Sequence, residues 1–137
     1  MNDFAIFILR VTSGAFMLFA HGLPKLNRLF SSGEITFPDP LGIGTVPSLV
    51  LAVFSEFFCS ILLMLGLFTR VSLIPLIITM FVAAFIHHAG DPFLQMEKAL
   101  LFLLIFVALF LTGPGKFALG RSIKIKSGNK LIKYLFE

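Results

Sequence analysis

Six side chains able to carry charge or protons interrupt otherwise apolar stretches of this 137-residue chain: Arg10, His21, Lys25, Glu56, His87 and Glu97. Imidazole titrates near neutrality, so a histidine can pass a proton on or hold a metal ion. A carboxylate beside it can orient the ring or take its proton. His21 closes the first apolar stretch, His87-His88 close the third, and Glu97 opens the fourth. Antiparallel stretches bring these three ends to one level. His21, His87 and Glu97 are therefore expected to converge on one proton-exchanging pocket. Lys25 follows His21 by one helical turn, about 40° further round, and is expected at the pocket mouth. The plainer reading is three unconnected interfacial residues, since the helix dipole alone favours Glu97 in a first turn.

Arg10 and Glu56 are expected deeper. Glu56 lies nine residues past Pro47 and Arg10 eleven before His21. At 1.5 Å per residue those separations are about 13 and 16 Å. A lone charge at the bilayer centre costs at least ~2.5–3.5 kcal/mol. The similar depths predict an Arg10–Glu56 ion pair, either a register-fixing contact or a working one. No metal site is expected: there is no cysteine cluster and no histidine pair four apart, and His87 and His88 point about 100° apart on a helix. Cys59, the single cysteine, reads as a small packing residue. Phosphate-cradling loops and nucleophile elbows are absent, so Ser13, Ser55 and Ser60 read as helix-packing residues.

The elements that must hold these groups are membrane helices. Hydrophobic residues make up 58% of the chain and charged residues 13%, too few charges to cover a water-soluble domain of this size. Four apolar stretches predict helices at about residues 4–21, 47–68, 71–88 and 95–112. Each approaches the roughly 20 residues a bilayer requires only by including Arg10, Glu56, the His87-His88 pair or Glu97. Gly22 and Pro24 are expected to end the first helix. The Gly- and Pro-rich run from Ser31 to Pro47 reads as a loop. Gly66-Leu67-Phe68-Thr69-Arg70 makes a tight hairpin connection, Gly90-Asp91-Pro92 a turn, and Gly113-Pro114-Gly115 a stop. Gly14 and Ala83-Ala84 look like helix contact points.

The expected fold is thus all-α, a transmembrane four-helix bundle over residues 1–115 with a basic tail over 116–137. The tail holds six of the eleven cations, whereas residues 1–115 hold five cations against six carboxylates. Lys and Arg gather on the cytoplasmic side of membrane proteins, so both termini are expected in the cytoplasm and the polar cluster on the far side. A lipid bilayer, not nucleic acid, is the partner this charge implies. The tail reads as a solvated strand of chain. Ser122-Ile123-Lys124-Ile125-Lys126 alternates, and Leu131, Ile132, Leu135 and Phe136 form one apolar face near acidic lipid.

In this order and spacing, several segments resemble the DoxX family of small four-helix membrane proteins. They are His21-Gly22 with Lys25-Leu26, Glu56, Leu65-Gly66-Leu67-Phe68-Thr69-Arg70, His87, Glu97 with Ala99-Leu100-Leu101, and Thr112-Gly113-Pro114-Gly115. The resemblance spans about Leu9 to Gly120 and favours His87 over His88. Ala118 and Gly120 stand where relatives carry a serine-containing end and an Asp. The resemblance implies a multi-pass protein of a bacterial-type inner membrane in a quinone-linked or thiol-redox setting; some relatives resemble subunits of a thiosulfate:quinone oxidoreductase.

Two functions follow. The first is a quinone-linked oxidoreductase subunit, with His21, His87 and Glu97 handling protons at an apolar slot. Quinone is the expected cofactor; no bound metal, flavin or haem is expected, so electrons would come from a substrate or another redox subunit. The second is a non-catalytic scaffold or assembly partner of a redox complex. A small-solute transporter ranks third, because four helices without a discontinuous pair are few unless the chain forms an oligomer.

Overall fold

The computed structural model describes residues 2–123 and 128–136. Among the described residues there is helix and irregular chain but no strand. Four helices are long and apolar enough to cross a membrane: α1 Asp3–Leu29, α2 Thr45–Leu65, α3 Thr69–His87 and α4 Phe93–Thr112. A short helix, α5 Lys130–Phe136, follows. Each long helix packs on two neighbours, in the order α1, α2, α3, α4 and back to α1. Leu63, Leu73, Leu76, Phe106 and Leu109 fill the centre, while Phe16, Phe19, Phe81, Leu104 and Leu111 point outward. An apolar exterior on an apolar interior is what a bilayer solvent demands. The chain is a multi-pass membrane protein whose two ends differ: one carries the termini, the other the 30–44 loop and the turn before α4.

The first helix does not stop at Gly22 and Pro24. It continues to Leu29 through a π-helical turn at Leu18–Gly22, in which Leu23 N–H donates to Leu18 O, five residues back. A π turn fits one extra residue into the ladder, so Pro24 enters the next α segment near its first position, where a missing N–H costs little. Similar π turns occur at Phe54–Cys59 in α2 and Ala83–His87 in α3.

At the terminal end, Arg10 is fully buried. Its Nη1 donates to Leu63 O (2.8 Å) and Met64 O (2.7 Å), and its Nη2 to Phe117 O (3.0 Å). Leu63 and Met64 belong to the last turn of α2, whose carbonyls have no partner within the helix. The expected Arg10–Glu56 pair is absent. The depth estimate counted residues along the axes, but side chains lean toward their own helix N-terminus. Arg10 leans toward the terminal end, and Glu56, on the oppositely running α2, leans away from it. Gly66, with φ 71°, lets the hairpin pass: a Cβ there would lie 2.5 Å from Arg10 Nη1 and 2.6 Å from Ala118 Cβ.

Arg70 repeats this arrangement. Its Nε donates to Phe110 O and its Nη1 to Tyr134 O, both at 3.0 Å, and its guanidinium lies 3.8 Å from the Tyr134 ring centroid. Phe136 packs edge-on against Phe68. The described part of the tail is therefore docked on the bundle through Tyr134 and Phe136, with most of its residues still exposed. Ala118 is buried, and Gly120 N–H donates to Gly66 O at 2.9 Å. A carbonyl-capping arginine with a ring to stack on accounts for the docking. The alternating segment expected at 122–126 lies mostly outside the described residues.

Candidate functional site

At the loop end the four helices diverge around a cavity of about 380 Å³. Each helix gives it one stripe. α1 supplies Met17, His21 and Lys25; α2 supplies Ser48, Ala52 and Glu56; α3 supplies Thr79, Ala83, His87 and His88; α4 supplies Gln95, Lys98, Ala99 and Phe102. Phe37, Pro38, Pro40, Leu41 and Ile43 of the loop cover it. That loop is held by Asp39. Its carboxylate accepts from Gly44 N–H (2.8 Å), Ile43 N–H (2.9 Å) and Ser48 Oγ (2.8 Å). The Gly44 amide, followed by the Ser48 hydroxyl, holds the Asp39 carboxyl below its ordinary value. Bonds that favour the charged form have this effect.

The three π turns are what aim the polar groups. His21, Glu56 and His87 each lie in one of them. The extra residue in such a turn rotates the chain beyond it by about 100° relative to an uninterrupted helix, and π turns cluster at functional sites. The first two turns pack on each other. Gly22 makes that possible, since a Cβ on it would lie 2.3 Å from Glu56 O and 2.7 Å from Phe57 N.

Glu56, with a side chain 5% exposed, pairs with Lys25 Nζ, whose side chain is 21% exposed. α1 runs from the terminal end toward the loop end, so Lys25 leans back toward Glu56, the same tilt that parted Arg10 from it. Lys25 thus stands in the cavity wall as the partner of the buried carboxylate. His21 presents its ring edge-on to Phe102, with centroids 5.8 Å apart. His87 and His88 have ring centroids 4.6 Å apart, and His88 Nδ1 lies 2.9 Å from Asp91 Oδ2. Beneath the cavity, Thr79 Oγ1 donates to Ser55 Oγ at 2.9 Å, tying α3 to α2.

The structure brings His21 and His87 to one cavity but leaves Glu97 outside it. The α4 stripe is Gln95, Lys98, Ala99 and Phe102, at spacings of three, four and seven. Glu97 falls about 100–200° from its members and faces away. Both histidines of the 87–88 pair line the cavity, although helical spacing would have parted them. His88 leaves the helix, with φ −94° and ψ 16°, so the 100° rule ends at His87. Lys98 and Gln95 were not anticipated. The same i, i+3, i+7 spacing, read outward from Phe102, would have found them. Among the described residues, no group of three or more His, Cys, Asp or Glu side chains is placed to hold a metal ion.

A DoxX family model matches residues 5–89, more than half of the chain, which takes in all of α2 and α3 and all of α1 but its first two residues. No curated protein and no solved structure matches the chain.

Proposed function

The chain belongs to the DoxX family, and we propose that it serves as a redox-linked membrane subunit whose loop-end cavity receives the ring of a lipid-soluble quinone. The observation that carries this is the Lys25–Glu56 pair set in the wall of a largely apolar cavity, beside His21 and His87. The volume of about 380 Å³ lies within the roughly 300–1,000 Å³ usual for small-ligand sites. A flat ring with two carbonyl oxygens needs apolar walls and a few donors. Ala52, Ala83, Ala99 and Phe102 supply walls of the right character; Lys25, Lys98 and the histidines supply donors. When bound, a quinone supplies two-electron chemistry coupled to two protons.

The chain's own part is to bind, orient and handle protons. Lys25 holds Glu56 in one position, and an ammonium–carboxylate pair can change its protonation where two guanidiniums cannot. His21 stands over the ring site against Phe102. His87, which is exposed, connects the cavity with the outside, and the loop pinned by Asp39 limits the entry of water. Electrons come from a substrate or from another redox subunit.

The setting proposed is a bacterial-type inner membrane with the terminal end in the cytoplasm. Six cations after Gly115 support that orientation. A cysteine replacing Lys130 on a Cys59→Ser background should resist a membrane-impermeant maleimide in intact cells; labelling there reverses the orientation.

The binding experiment is equilibrium dialysis of a short-tailed quinone against the protein in lipid nanodiscs, corrected by protein-free discs. Saturable uptake near one per chain is expected, weakened roughly tenfold or more by His21→Ala or Glu56→Gln. Uptake no greater than in empty discs rejects the proposal. Uptake unchanged in both variants moves the ring elsewhere and leaves the cavity to a scaffold role.

A further inference from the structure

We infer that the cavity favours a ligand carrying a negative charge on or beside its ring, met by Lys98; this rests on the ring-binding reading above and specifies its substrate class. On α1, Lys25 is taken by Glu56, and among the described residues Glu56 is the sole carboxylate in the wall. In the turn before α4, Asp91 is engaged by His88. In the covering loop, the Asp39 carboxylate is filled by two backbone amides and the Ser48 hydroxyl. Glu97, beside Lys98 in sequence, faces away from the cavity.

The carboxylates of Glu56, Asp91, Asp39 and Glu97 are thus committed or misdirected. Among the described residues, Lys98 has no ion-pair partner, and no hydrogen bond fills the His21 or His87 rings. The wall therefore offers one uncompensated ammonium and two imidazoles with open nitrogens, set among apolar side chains. A neutral ring leaves that ammonium unanswered. A ring bearing an ionised hydroxyl or a carboxylate answers it with a charge-assisted bond, the stronger kind. Lys98 lies one turn below Gln95 on the same stripe, so an acidic substituent at the mouth can meet a cation and an amide donor together.

The test compares two ligands with one ring: a hydroxynaphthoquinone, ionised at neutral pH, and its methyl ether, which cannot ionise. Each is dialysed at pH 7 against the protein in nanodiscs of zwitterionic lipid, with uptake by empty discs subtracted. The wild-type chain should bind the hydroxy compound roughly tenfold more tightly than the ether. Lys98→Met should bring the two within about twofold, and Lys98→Arg should keep the preference. Lys98 is exposed, so its variants should keep the wild-type unfolding temperature. Equal binding of the two compounds by the wild type overturns the inference and leaves the ring-binding reading standing. A preference that survives Lys98→Met also overturns it. Binding of neither compound removes both.

Discussion

Both ends of the bundle take positive charge out of water, and they treat it in opposite ways. At the terminal end, Arg10 and Arg70 meet no carboxylate among the described residues. Their guanidiniums bond to backbone carbonyls at helix ends, to Phe117 O and to the Tyr134 carbonyl and ring, while Arg10 Nε stays buried with no partner among the described residues. Glycines crowd them: a Cβ on Gly113 would lie 2.6 Å from Arg70 Nη2. At the loop end, Lys25 meets a carboxylate, and the pair faces a cavity with donors to spare. A guanidinium is charged at any pH a protein survives and spreads five donors over several acceptors. Such a group serves as a fastener. An ammonium, a carboxylate and imidazoles beside open space can exchange protons and receive a ligand. Buried charge in a membrane helix thus marks a working site only where it can be reached from open space.

The contrast is most exposed at Arg10. Arg10→Met should strand the Met64 and Phe117 carbonyls, leave Leu63 O with the Gly66 N–H alone, and destabilise the protein by on the order of 3–5 kcal/mol, seen as loss of monodisperse protein in detergent. Arg10→Lys should rescue poorly, because one ammonium cannot reproduce the spread of the fork. If Glu56→Gln rescues Arg10→Met, the two ends are coupled and the contrast fails. Next in size, Gly22→Ala forces a methyl onto the Glu56 carbonyl. It should cost ~1–3 kcal/mol as overpacking and weaken ring binding more than a core substitution of equal cost. Binding unchanged in that variant would show that the crossing of the π turns does not set the cavity.

Comparable in size is the effect of the Lys25–Glu56 pair. Lys25→Met leaves an unpaired buried carboxylate and should lower stability by ~1–3 kcal/mol. Lys25→Met with Glu56→Gln should recover most of that loss, while binding stays weak in both. Thermal unfolding and dialysis read the two effects separately. The smallest effect belongs to Asp39. Its folded-state pKa lies below the ordinary 3.8, so its contribution is present above that value and fades as pH falls through the lowered one. Protease nicking of the 30–44 loop should therefore rise below about pH 4 in the wild type. In Asp39→Ala it should be high and flat across the same range.

Much of this was legible in the residues. Apolar length and the Gly and Pro breaks marked four helices, and the level shared by their ends brought His21 and His87 together. Three things were not. The π turn that carries α1 past Pro24 has no compositional mark, because its extra residue shows only in the hydrogen-bond ladder. The partners of Arg10 and Glu56 depend on which way each side chain leans, which axial counting omits. The choice of Lys98 over Glu97 depends on the phase at which α4 leaves the Gly90–Pro92 turn, a rotation that no single helix reveals about itself.

The reach of Arg10 also orders the birth of the molecule. Its carbonyl partners lie 53, 54 and 107 residues downstream. Helices enter a membrane in the order in which they are made, so α1 must wait with an uncompensated guanidinium until α2 arrives. The third bond closes only after α4 has followed. A nascent chain cut after α1 should hold its membrane position poorly, and one cut after α2 better. An insertase that shelters the first helix until the second is in place would do for the unfinished chain what Leu63 and Met64 do for the finished one.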